Sequence, residues 1–92
     1  FNGIGIDYTN SRFLFACSSN TIRYSNFSTP TTLTTATITG SGTNSYITYV
    51  NGYYFVGNTA GGLYYSSNLT TWFSITTGNT TPVVGVYYDE FK

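Results

Sequence analysis

Few residues in this chain are equipped for chemistry. Only Asp7, Asp89, Glu90, Arg12, Arg23 and Lys92 carry side-chain charge, and there is no histidine. Without an imidazole, the Ser-His and Cys-His arrangements that activate a nucleophile cannot form within the chain. Asp89 and Glu90 are sequence neighbours, which on a strand point to opposite faces, so a charged turn is expected there rather than a cooperating carboxylate pair. Cys17 is the single cysteine, which rules out an intramolecular disulfide and a cysteine-based zinc site. It follows the apolar run Phe13-Leu14-Phe15-Ala16 and reads as a buried, inert thiol. The run from Gly57 to Gly62 is glycine-rich but lacks a lysine and a following helix, so it reads as a hairpin loop and not a phosphate cradle. No catalytic residue, metal ligand or cofactor is assigned.

Binding chemistry has more to work with. Ten tyrosines crowd mainly into the second half of the chain. Strand alternation puts neighbours such as Tyr53 and Tyr54 on opposite faces, so half are expected to pack between repeats and half to meet solvent. Tyr53, Tyr64 and Tyr87, joined by Arg23, are the candidate binding residues: a tyrosine ring offers a flat apolar face and a hydroxyl to a sugar or a protein partner, and Arg23 offers a partner to a carboxylate. Read conservatively, the tyrosines are packing residues and Arg23 is a surface charge guarding a sheet edge. The sequons at Asn26, Asn68 and Asn79 permit N-glycosylation on a eukaryotic secretory route.

The elements that carry these residues repeat. Ile4-Gly5-Ile6-Asp7-Tyr8 returns as Val84-Gly85-Val86-Tyr87-Tyr88, and Ser45-Tyr46-Ile47-Thr48-Tyr49 lies midway, giving a period of about 40 residues. Each copy leads through a polar turn into an aromatic strand, Phe13 to Ala16 and then Tyr53 to Val56. Thr21-Ile22-Arg23-Tyr24-Ser25 matches Gly62-Leu63-Tyr64-Tyr65-Ser66, and a Thr-rich strand closes each unit, at about Leu33 to Thr39 and Thr71 to Thr76. Asn51-Gly52 is the strongest hairpin signal, because a tight primed turn needs positive φ. Four short strands per unit, rich in β-branched and aromatic residues, predict an all-β fold: a β-propeller fragment of two four-stranded blades and the start of a third. The blades are expected at about residues 3–42 and 43–82, with a third beginning at 83–92. An immunoglobulin-like β-sandwich is the alternative for eight or nine short strands.

Within the second unit, Tyr65-Ser66-Ser67-Asn68-Leu69-Thr70-Thr71-Trp72 resembles the Asp-box of sialidase-like propellers, Ser-x-Asp-x(Gly)-x-Thr-Trp. Ser66, Thr71 and Trp72 match, Asn68 stands at the Asp position, and Leu69 stands where Gly is frequent. The first unit keeps only an eroded version, Tyr24-Ser25-Asn26-Phe27-Ser28-Thr29. The resemblance implies a structural turn, with Ser66, Asn68 and Thr71 satisfying backbone groups and Trp72 largely buried beneath the loop. It does not imply sialidase activity, because the motif lies away from the active site in that family and no arginine triad is present here.

The expected function is a non-catalytic structural or binding module of an extracellular or virion-surface protein, such as a phage fibre or adhesin, recognising carbohydrate or a receptor. The alternative is a fragment of a sialidase-like propeller glycoside hydrolase with its catalytic residues outside this chain. The Thr/Ser/Asn/Tyr-rich, charge-poor composition is the basis for the location. With zero net charge and no basic stripe, nucleic acid is not an expected partner. No apolar stretch reaches the length of a membrane span. Remaining blades of the same propeller or further copies of the chain are the expected partners, and a chain opening on Phe1 is expected of a processed or truncated product.

Overall fold

The computed structural model describes residues 2–38 and 42–75. They form eight strands: β1 (Gly3–Asp7), β2 (Arg12–Ala16), β3 (Thr21–Asn26), β4 (Thr29–Thr37), β5 (Asn44–Val50), β6 (Tyr53–Asn58), β7 (Leu63–Ser66) and β8 (Phe73–Ile75). These make two four-stranded antiparallel sheets, each in simple chain order, β1-β2-β3-β4 and β5-β6-β7-β8. The chain is all-β, in two consecutive meanders. The third repeat, residues 83–92, lies outside the described residues.

Turn chemistry explains the meanders. Asn51 and Gly52 both have positive φ, 51° and 86°, which is the primed hairpin that suits twisted strands. Ser19 and Asn20 form the same kind of turn in the first sheet, at φ 59° and 54°. The left-handed positions recur: Ser11 precedes β2 as Gly52 precedes β6, and Asn20 precedes β3 as Gly61 comes just before β7, each pair 41 residues apart. The two sheets therefore share one backbone plan written with different residues.

The ladder registers refine the repeat. Phe13 lies opposite Ser25 as Tyr54 lies opposite Ser66, so β2 and β3 map onto β6 and β7 at the same spacing. The first strands do not keep it. Ile4 pairs with Phe15 and Ile47 pairs with Val56, so Ile4 matches Ile47, and Tyr46 matches Gly3 instead of Gly5. The physical reason is the first turn, which holds Tyr8 to Ser11 in one sheet and only Asn51-Gly52 in the other.

Strand ends also differ from expectation. The closing strand of the first sheet runs over Thr29–Thr37, earlier than Leu33 to Thr39, because Phe27-Ser28 alone makes the turn after β3. The closing strand of the second is only Phe73–Ile75, because the Ser66 to Trp72 turn consumes the residues before it. β4 is an edge strand, almost wholly exposed, and Pro30 is tolerated there because no neighbour asks for its N–H.

The sheets meet face to face. Leu14, Ala16, Ile22 and Ile38 bury against Ile47, Tyr54, Val56 and Leu69. The closest approach is between β1 and β5, where a Cβ on Gly3 or Gly5 would run into the carbonyl oxygens of Ser45 and Ile47. Glycine in the apolar-Gly-apolar motif is thus a packing requirement: it lets one strand backbone lie directly on the next sheet.

Candidate functional site

Three places gather the polar and aromatic residues. The first lies between the sheets. Asp7 ends β1 and Arg12 opens β2, so the hairpin holds them opposite each other on the face turned toward the second sheet. Tyr54 of β6 reaches into that gap: its hydroxyl donates to Asp7 Oδ2 and accepts from Arg12 Nη1 at 2.8 Å. Asn10 completes the shell, donating its backbone N–H to Asp7 Oδ1 at 3.0 Å and its amide to Asp7 Oδ2 at 2.8 Å. The Arg12 guanidinium also lies over the Tyr24 ring, 5.5 Å from its centroid.

A tyrosine between a carboxylate and a guanidinium has the parts of an activated nucleophile, but the environment sets it against that use. Tyr54 is only 1% exposed and Asp7 is fully buried, so no substrate reaches the oxygen. Its pKa is pushed up to about 12, first by burial and then by the hydrogen bond to Asp7, with Arg12 pulling the other way. Activation through the hydroxyl's own acidity would need a lowered pKa, the opposite of this shift. The cluster is a latch that satisfies a buried carboxylate by joining one sheet to the next.

The second place is the Ser66 to Trp72 turn. Ser66 Oγ accepts from the N–H groups of Asn68 and Leu69, at 3.2 and 2.9 Å, and donates to Asn68 Oδ1 at 3.0 Å. Asn68 Oδ1 accepts from the N–H groups of Thr70 and Thr71, at 3.0 and 2.9 Å. Asn68 thus bonds backbone, as expected. Trp72 keeps only part of its surface exposed: its ring packs against the core and its Nε1 donates to the Leu69 carbonyl at 3.1 Å. Leu69 is fully enclosed beside it despite a left-handed φ of 67°. That backbone conformation is the physical reason the position suits Gly in the motif it resembles. Thr71 contributes its backbone N–H. In the first unit, Asn26-Phe27-Ser28-Thr29 makes a plain hairpin turn into β4, and Asn26 is exposed.

The third place is the face of the second sheet turned away from the first. Tyr53, Phe55, Tyr65 and Ile75 line an open depression of about 230 Å³ there. Tyr65 stacks obliquely on Phe73, with ring centroids 5.4 Å apart.

The sequence-predicted binding residues do not converge. Tyr53 is on this outer face, whereas Tyr64 pairs with Val56 and packs on the core between the sheets. Arg23 is exposed on the outer face of the first sheet, and it stands on an interior strand between β2 and β4, so it guards no edge. Tyr87 and Asn79 lie outside the described residues. Cys17 is half-buried, more open than the buried thiol expected, since it sits just past β2 where the chain turns. The Asn58 to Gly62 loop is filled by its own side chain: Asn58 Oδ1 accepts from the N–H groups of Ala60 and Gly62.

The latch was missed in the sequence, yet it left a signal. Asp7 is a charge at the end of an apolar strand, and Arg12 stands just across a four-residue turn from it. Neither protein-family models, nor curated proteins, nor solved structures match the chain.

Proposed function

We propose that the chain is a non-catalytic structural module, two successive blades of a sialidase-like β-propeller from an extracellular or virion-surface protein. The observation that carries this reading is the shared plan of the two sheets, with equivalent left-handed turns and ladder registers and with face-to-face packing through their first strands. Four-stranded meanders stacked in this way are the unit of propeller architecture. The Asp-box-like turn supports the same reading, since its polar atoms are spent on its own backbone.

The charge pair inside the fold points in the same direction. Asp7 and Arg12 are engaged in the latch, and the exposed aromatic depression is lined by Tyr53, Phe55, Tyr65 and Ile75 without a charged or amide side chain to orient a sugar. Ligand sites for sugars combine an apolar platform with placed polar groups. The test is a panel of aryl glycosides, sialosides included, together with a glycan array. No turnover and no saturable glycan binding is the expected result. Turnover that disappears in Asp7→Asn while the fold is retained would overturn it.

A further inference from the structure

The outer faces of the two sheets are both largely apolar, with Arg23 the one charged side chain on the first among the described residues. On the first sheet Ile4 is 71% exposed and Ile6 39%; on the second Phe73 is 53% exposed and Tyr53 44%. Faces of this kind mark interaction sites. The interface already present between the sheets shows which surface each one matches. Seen through the repeat, the outer face of the first sheet corresponds to the inward face of the second, with Phe13 at the place of Tyr54 and Phe15 at the place of Val56. The outer face of the second sheet corresponds to the inward face of the first, with Val50 and Tyr53 paired at the place of Asp7 and Arg12.

We propose that the outer face of the second sheet receives the outer face of the first sheet of a second copy of this chain, so that copies associate head to tail. This rests on the blade reading and names the partner. Polarity matches at the decisive position. Within one chain the Tyr54 hydroxyl enters between Asp7 and Arg12; between copies Phe13, with no hydroxyl, enters between Val50 and Tyr53, with no charge. Size matches as well. The glycines that let β1 lie on β5 are replaced by Tyr46 and Thr48 at the equivalent places of β5, so the second interface stands wider. The larger Phe15 in place of Val56 fills that width. Such an interface is heterologous, and it closes when copies complete a ring.

The experiment is light scattering coupled to size exclusion on the 92-residue chain, with two exposed-face variants, Ile4→Glu and Phe73→Glu. Wild type is expected as a discrete oligomer of roughly two to four copies, the number that gives four to eight blades. Each variant alone retains one good face but meets no complement, so its mass falls to the 10.1 kDa monomer. Mixed one to one, the variants restore a single intact interface and yield a heterodimer of twice that mass. A wild type that is monomeric up to about 100 µM overturns the proposal in favour of another occupant, such as residues 76–92 of the same chain, and leaves the blade reading standing if amide hydrogen exchange still protects both sheets. Variants that each keep the oligomeric wild-type mass, or monomeric variants whose mixture forms no heterodimer, overturn it as well. Absence of protected strands in the wild type would overturn the blade reading itself.

Discussion

Replacing Tyr54 by Phe deletes one oxygen and leaves the ring in place, so it isolates what the latch contributes. The hydroxyl donates to a fully buried carboxylate and accepts from Arg12. A hydrogen bond to a charged group contributes about 1.5–3 kcal/mol, and a buried carboxylate deprived of a donor adds a desolvation cost. Asn10 still supplies Asp7 with two hydrogen bonds, which limits that cost. Tyr54→Phe should therefore destabilise by about 2–4 kcal/mol. Trp72 is the only tryptophan and packs on the core, so its fluorescence, excited away from the tyrosines, reports urea unfolding. With a slope of about 1–1.5 kcal/mol/M for a chain of this size, the midpoint should fall by about 2 M. Alkaline pH provides a second reading. The folded pKa of about 12 stands above the ordinary value of 10.0, so the contribution is complete below pH 10 and is lost as pH rises toward 12. Tyr54→Phe should lack that alkaline loss. A midpoint shift worth less than about 0.5 kcal/mol, or an unchanged alkaline limb in the variant, would refute the latch.

Gly5→Ala puts a methyl group against the Ile47 carbonyl and should cost more than the about 1–3 kcal/mol of ordinary overpacking, measured by the same denaturation, whereas Gly52→Ala, with open space around its Cβ position, strains only the turn. Leu69→Ala should cost about 2–4 kcal/mol for the buried side chain, and Leu69→Gly should cost about 1 kcal/mol less than Leu69→Ala because it relieves the left-handed backbone; paired thermal melts read the order. Asn68→Asp should stabilise by about 1 kcal/mol at pH 7, since a carboxylate accepts the Thr70 and Thr71 N–H groups more strongly than an amide does. Those bonds hold the folded carboxyl below its ordinary pKa, so the gain is present above pH 4 and fades as pH falls through the folded value; melts at pH 7 and pH 3 check the sign.

Much of the fold was legible because strands and turns have local signatures. The Asn51-Gly52 hairpin, the alternation of Tyr53 and Tyr54, and the four-strand units all appear where residue type dictates them. The first-strand correspondence differs by two residues from the one that identical letters suggest, because those letters stand before turns of different length. Backbone geometry repeats more faithfully than side chains do: Ser11 does the work of Gly52, and Asn20 that of Gly61. Serine and asparagine tolerate left-handed backbone less readily than glycine does, so these positions do not announce themselves by composition.

The site was less legible, since what decides it is which face a residue occupies and what crosses from the other sheet. Tyr53, Tyr54 and Tyr64 are the same residue type within a dozen positions, yet one is open to solvent, one is locked on Asp7, and one packs on the core. Nothing local distinguishes them, because each fate depends on a partner tens of residues away. Glycine in the repeated first strand was visible as a marker, and its cause became clear only when the Ser45 and Ile47 carbonyls were found against it. The chain therefore assigns its chemistry by sheet contact: the carboxylate, guanidinium and hydroxyl with the parts of a catalytic group are placed where two sheets touch, and the apolar surface is left on the two faces that meet no other sheet among the described residues.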